Sequence, residues 1–344
     1  MRRVLAWVGV AVVALLSAGA TSPDQKPTPM GIADLKEIYR RPESIPFPPD
    51  NPWSEAKATL GRMLFFDPIL SGPTTVSCGS CHNPGLSWSD GLKVAIGTGH
   101  MQLHTPTLLD IAWVPILGWD GKFRTLESVA FGPVLNPANM NNTEAEAIRR
   151  LNGIPGYVAE FSRAFPDADP KAPVTRVRIE QALATFERTI VAPPSAFDRW
   201  VDGEEGAIGE DAKRGFLLFN GKAGCANCHD GPSFSDFSFH DIGVAKEDDI
   251  GRGRFFPTSV KLRHAFKVPT LRDVARRAPY SHDGSIATLE AVIDAYNDGG
   301  LDRPSRSELI RPLGLTAAEK RDLLAFLNTL TSDAASFEMP ELPR

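Results

Sequence analysis

The chain has few cysteines. Only four occur in 344 residues, and all four fall inside two short motifs, so no thiol is left for a structural disulfide. It also lacks a cluster of positive charge. Thirty-seven Lys and Arg face 42 Asp and Glu, for a formal charge of −5, or −7 without Arg2 and Arg3. That balance argues against a nucleic-acid role, which needs clustered Lys and Arg, and fits a protein that meets another protein through local patches. Beyond the N-terminus no apolar run approaches the ~20 residues of a membrane-spanning helix. No long alternating pattern of apolar and polar residues reads as a strand. With 29 Gly and 29 Pro, much of the chain outside its helices reads as loop.

What is present starts with a leader. Arg2 and Arg3 precede the apolar stretch Val4 to Leu16 and the small residues Ala18-Gly19-Ala20, the pattern of a secretory signal peptide over residues 1–20. A periplasmic mature protein with no membrane span is the expectation. Residues 21–50, rich in Pro, read as an extended arm wrapping the body. The remaining length exceeds one typical core, so two domains are expected: 51–192 and 193–344, joined near Ala192-Pro193-Pro194-Ser195.

The cysteines form Cys78-Gly-Ser-Cys81-His82 and Cys225-Ala-Asn-Cys228-His229. Cys-x-x-Cys-His is the attachment site of c-type haem: two thiols add to the porphyrin vinyl groups and the His ligates iron. The competing reading is a zinc ribbon, whose Cys pairs lie about 15–20 residues apart. Here 143 residues separate Cys81 from Cys225, and a ribbon needs no His after each pair. Two covalent haems are expected, with His82 on the first iron and His229 on the second.

An internal repeat organises the chain. Gly61-Arg-Met-Leu-Phe-Phe66 precedes the first motif as Gly215-Phe-Leu-Leu-Phe-Asn220 precedes the second. Pro106 to Glu127 aligns without a gap on Pro269 to Glu290, with ten of 22 positions identical. The fold expected is mainly α: two fused cytochrome c domains of class I type, related by duplication, with long loops. Ser54 is expected to cap a helix carrying Leu60, Met63 and Leu64. Thr143 with Glu146, and Thr316 with Glu319, form capping-box pairs. Ile179, Ala182, Leu183, Phe186 and Ile190 mark one apolar helix face.

The halves differ where chemistry would reside. Trp119-Asp-Gly in the first faces His282-Asp-Gly in the second, and fourteen residues on, Pro133 faces Tyr296. A phenol oxygen can ligate iron and a proline cannot. If this position overlies the haem, the second iron is held by His229 and Tyr296 while the first keeps an open face. The alternative for Tyr296 is a helix tyrosine packed on the core.

Over residues 50–330 the chain resembles the bacterial di-haem cytochrome c peroxidase/MauG family. The resemblance rests on Leu64-Phe-Phe-Asp-Pro68, both haem motifs, Trp119-Asp-Gly, Phe266-Lys-Val-Pro-Thr-Leu-Arg272 and Ala278-Pro-Tyr-Ser-His-Asp-Gly-Ser285. It implies that Tyr296 is an axial ligand, as in MauG-like members where peroxidases have Met, and that Trp119 lies between the haems as a relay. Where the family has a Gln and a Glu over the peroxide-binding haem, this chain has Val129 and Asn139. Valine cannot hydrogen-bond peroxide, and asparagine cannot shuttle a proton as a carboxylate does. Asn139, His100, His104 and Glu144 are the distal-side candidates. The resemblance also implies a Ca²⁺ between the haems, bound partly through the backbone carbonyls of Arg277 and Pro279. His104 stands where the family has Asn, which counts against that ion because calcium prefers oxygen. Thr98 and His100 lie near the loop histidine that conventional members move on and off the first haem.

Three functions follow. One is a peroxide-dependent oxidase that stores oxidising equivalents on two haems and oxidises a partner protein at long range through Trp119. The second is a peroxidase that reduces H₂O₂ with electrons from a small cytochrome or cupredoxin. The third is a di-haem electron carrier with no enzymatic role. Tyr296 favours the first over the second, and Pro133 counts against the third, since a carrier gains from saturating both irons.

Overall fold

The computed structural model describes residues 31–333 and 336–344; the leader and residues 21–30 lie outside them. The architecture is predominantly helical. The first half runs α1 (Ile32–Ile38), α2 (Glu55–Phe66), α3 (Cys78–Cys81), α4 (Leu126–Leu135), α5 (Glu144–Asn152), α6 (Pro155–Ala164) and α7 (Arg176–Arg188). The second runs α8 (Ala196–Val201), α9 (Glu210–Asn220), α10 (Leu289–Asp298) and α11 (Ala317–Thr329). Among the described residues the sheet is a single antiparallel pair, β1 (Phe239–His240) with β2 (Phe266–Lys267).

The capping signals act mostly as read. The Ser54 hydroxyl accepts from the Lys57 N–H at 3.2 Å. Thr316 and Glu319 close a reciprocal box at 3.2 and 2.8 Å. Thr143 caps α5 through the Glu146 N–H, but the Glu146 side chain does not return to it. Its carboxylate is taken by Arg149 and Arg150, since two guanidiniums outcompete one backbone N–H.

Among the described residues a small apolar cluster of Leu117, Leu126 and Ala184 accompanies two large ones. One gathers α2, α4, α6 and α7 around Leu64, Phe65, Phe131, Phe161, Ile179 and Leu183. The other gathers α8 to α11 around Phe197, Trp200, Phe216 and Phe326. Burying each such side chain contributes roughly 1.5–3 kcal/mol. The two principal helix crossings are built alike. A Cβ on Gly61 of α2 would collide with the Ala182 carbonyl of α7, and one on Gly215 of α9 with the Asp322 carbonyl of α11. Glycine is what lets these backbones approach so closely.

The segment before Asn51 is not the simple extended arm that its prolines suggested. It contains α1, and Tyr39, which ends that helix, is wholly buried in the second cluster. Tyr39 stacks on Phe234 at 4.7 Å and donates to the Asn220 side chain at 2.7 Å. At the other end Phe337 crosses back to Phe66 and Trp88 of the first cluster, with centroids 5.0 and 5.3 Å apart. Each terminal segment thus packs on the half remote from it in sequence.

Candidate haem cavity

Both Cys-x-x-Cys-His motifs open onto one cavity of about 430 Å³, walled mostly by apolar side chains. All four thiols line it and none is in a disulfide. Burial pushes Cys78 and Cys225 up to about 12 and Cys228 up to about 11. Among the described residues no three His, Cys, Asp or Glu gather as a metal cluster, so the two pairs do not assemble a four-sulfur zinc site.

The histidines are set for ligation. His82 Nδ1 donates to the Trp88 carbonyl at 3.2 Å, and His229 Nδ1 to the Phe234 carbonyl at 2.8 Å. A carbonyl only accepts, so the proton sits on Nδ1 and Nε2 keeps its lone pair for iron. Burial lowers the pKa of both rings, which favours the neutral form a ligand needs.

The wall also holds two cations with no ion-pair partner among the described residues, Arg277 feeling Asp273 only at longer range. Arg277 is buried, its Nε has no partner, and burial lowers it to about 10. Lys267 is likewise lowered to about 8 by burial, then by Arg277. Buried cations without counter-ions are costly, and each haem brings two propionates. Thiols, imidazoles and unpaired cations together fit two c-type haems.

Tyr296 of α10 and Pro133 of α4 both line the cavity. The Tyr296 phenol is pushed up by burial, then by the charges of Cys228 and Cys225, so it lies near the second attachment site. Trp119 also faces the cavity and is held from both halves. Its Nε1 donates to the His104 carbonyl at 2.8 Å, and its own carbonyl accepts from the Lys267 N–H at 2.8 Å. His104 N–H in turn donates to the His282 carbonyl at 2.8 Å.

The distal candidates separate. Val129, Asn139 and His104 line the cavity, as does Met140. His104 is buried with Nδ1 on the Leu92 carbonyl at 2.7 Å. His100 is exposed and stands outside the cavity wall, because its loop is tied down elsewhere. Thr98 N–H donates to the Asn139 carbonyl, and its hydroxyl to that of Pro137, both at 2.7 Å. Glu144 is on the surface, paired with Arg176 at 3.2 Å. Arg277 carries a guanidinium close enough to help lower His104.

The family model for di-haem cytochrome c peroxidase matches residues 55–206. The methylamine utilization protein MauG of Methylorubrum extorquens is 45% identical over 98% of this chain and 97% of its own length. The chain belongs to the di-haem cytochrome c peroxidase/MauG family. It is accordingly a haem-dependent oxidoreductase whose family carries two c-type haems. The cytochrome c551 peroxidase of Nitrosomonas europaea is 36% identical, over 83% of each chain. Among solved structures, a MauG-like protein associated with microbial copper homeostasis superposes with a TM-score of 0.80 at 33% identity, covering 85% of this chain and 95% of that one.

Several wall residues lie outside the motifs that sequence reading singles out. Lys267 and Arg277 lie within or beside recognised segments, but their spacing alone does not signal a shared anionic ligand. His264, His240 and Glu187 also line the cavity. For Glu187 a signal existed. The equivalent wall position in the second half is Leu327, visible once α7 is laid on α11.

Proposed function

We propose that the protein is a periplasmic di-haem peroxidase of the MauG-like kind, using H₂O₂ to oxidise a partner protein at long range. The observation that carries this reading is Tyr296. It lies near Cys225 and Cys228 while proline occupies the matching place in α4. When bound, the haems supply the redox chemistry. Cys78, Cys81, Cys225 and Cys228 would anchor them, and His82 and His229 would hold their irons. Tyr296 would close the second iron to small molecules, and Pro133 would leave the first open to peroxide. Trp119, held by His104 and Lys267, conducts charge between the two sites. No helix among the described residues is long and apolar enough to cross a membrane.

Val129 and Asn139 support partner oxidation over rapid peroxide reduction, because neither can move a proton. Calcium has the weakest support. The expected side-chain donor is replaced by His104, which bonds Leu92, and Arg277 already brings positive charge there. The domain division at residues 192 and 193 and its origin by duplication belong to the same proposal. They are supported by the paired glycine crossings. The test is to add stoichiometric H₂O₂ to the di-haem protein and follow both haem spectra. A response at both haems from peroxide binding at one is expected. A protein inert to peroxide is an electron carrier instead.

A further inference from the structure

The helices α7 and α11 superimpose in role at a constant separation of 140 residues. Ala182 and Asp322 receive the glycine crossings, and Phe186 and Phe326 pack beside them. On this register Leu183 corresponds to Leu323, and both line the cavity. One turn further on, the second half has Leu327 and the first has Glu187, each 8% exposed and each on the cavity wall. A leucine there is what an apolar haem wall calls for. A carboxyl is not.

The Glu187 carboxyl has no ion-pair or hydrogen-bond partner among the described residues. Its neighbour Arg188 is turned away and spent on Glu127, at 2.7 and 3.0 Å. The charged groups facing it from the packed elements are few. Glu127 of α4 is closed by Arg188 and by Asn51 at 2.8 Å. Lys57 of α2 donates to Asn51 at 2.8 Å and to the Pro52 carbonyl. Arg188 and Glu127 act on Glu187 in opposite directions, and burial outweighs both. From α3 comes Cys78, whose thiol is pushed up by burial and then by the negative charge of Glu187 itself. Cys78 becomes one of the two covalent anchors of the first haem. Whatever orientation that haem takes, this carboxyl stands beside one of its fixed points.

We infer that Glu187 couples a proton to electron gain at the first haem, so that the two irons respond differently to pH. The inference rests on the two-haem reading of the cavity but not on reaction with peroxide. One electron, supplied by an outside reductant, lowers the positive charge at the iron. The nearby carboxylate then binds a proton from solvent more tightly, and electron and proton enter together. Burial already pushes Glu187 up to about 8, which brings this titration into the neutral range. The potential therefore falls with rising pH between the values the carboxyl holds in the oxidised and reduced states. It levels off below both, where the group is neutral throughout, and above both, where it is charged throughout. The second haem has Leu327 in place of this carboxyl, and among the titratable groups near its ligand His229 is the imidazole of His240, which lines the cavity.

The test is a redox titration of the di-haem protein with chemical reductant and mediators at pH values from about 6 to 9, following the two ferric EPR signals. One couple should fall with pH by up to ~59 mV per unit, the limit for one proton per electron, and the other should fall much less. Glu187→Gln and Glu187→Leu should flatten the steep couple and leave the other unchanged. Glu187→Asp should keep a slope. Equal slopes in the unsubstituted protein overturn the inference without any variant. A steep couple that survives in both Glu187→Gln and Glu187→Leu overturns it too, and transfers the proton to the propionates. If the protein ignores peroxide but shows the asymmetry, the proposed function falls and this inference stands.

Discussion

Asp110 and Asp273, 163 residues apart, do the same work in the two halves. Both have left-handed backbone, with φ of 58° and 55°. Asp110 accepts from the Ala192 N–H at 2.9 Å, just past α7. Asp273 accepts from the Ser332 N–H at 2.6 Å, just past α11. Their own N–H groups donate to the Ile190 and Leu330 carbonyls. Each aspartate thus ties the loop beneath its haem motif to the end of the closing helix.

The two ties are linked by Arg272, which is 2% exposed. It donates to both oxygens of Asp198 at 2.9 Å and lies 3.5 Å from Asp110 across the boundary between the clusters. Arg272→Met would leave the buried Asp198 and Asp110 with only the more distant Arg41, 3.7 Å from Asp198. A loss of roughly 3–5 kcal/mol is expected. It would appear as a lower denaturant midpoint at unchanged slope, with both haems still attached. A change under 1 kcal/mol would show that water screens this cluster.

Haem content tests the whole reading. Denatured protein should carry the mass of two haems, and its alkaline pyridine spectrum should give two c-type haems per chain. Replacing Cys225 and Cys228 together by Ser should remove one covalent haem and leave the His82 site loaded. Loss of neither would sink the assignment.

The irons should be unequal. Ferric EPR is expected to show one high-spin signal from the open His82 haem and one low-spin signal from the His229–Tyr296 haem. Tyr296→Phe should abolish the low-spin species and leave the other nearly intact. Two unchanged low-spin signals would point instead to a ligand such as Met140, which is buried on the same wall.

Trp119→Phe keeps most of the ring volume, so packing should cost under ~1.5 kcal/mol, beyond the lost hydrogen bond to His104. The variant should bind both haems and still consume stoichiometric H₂O₂. Oxidation of a protein substrate should slow by at least about tenfold, ~1.4 kcal/mol of barrier. An undiminished rate would keep the enzyme and reject Trp119 as the conductor.

The sequence determined by itself whatever is local or repeated. Cys-x-x-Cys-His places two thiols and an imidazole within one turn of chain, and no tertiary contact is needed to recognise it. The caps at Ser54, Thr143 and Thr316 are local for the same reason, as is the apolar face from Ile179 to Ile190. The offset between Pro106 and Pro269 makes Tyr296 and Pro133 comparable from the sequence alone. His100 and His104 show the limit. They are four residues apart and look alike as distal candidates, yet a loop pinned to Pro137 and Asn139 leaves one in solvent and buries the other.

Only the tertiary structure decided which distant residues share one wall. Tyr39 enters the second cluster from α1, and Phe337 the first from the far end, because each places its ring against aromatic side chains of the half remote from it. Lys267 and Arg277 become unusual only when burial removes their water and no carboxylate pairs with them directly. Glu187 reads as an ordinary helix glutamate until α7 turns it toward the cavity and Arg188 toward Glu127. Burial, pairing and direction around a helix depend on what packs opposite, and that partner is hundreds of atoms away along the chain.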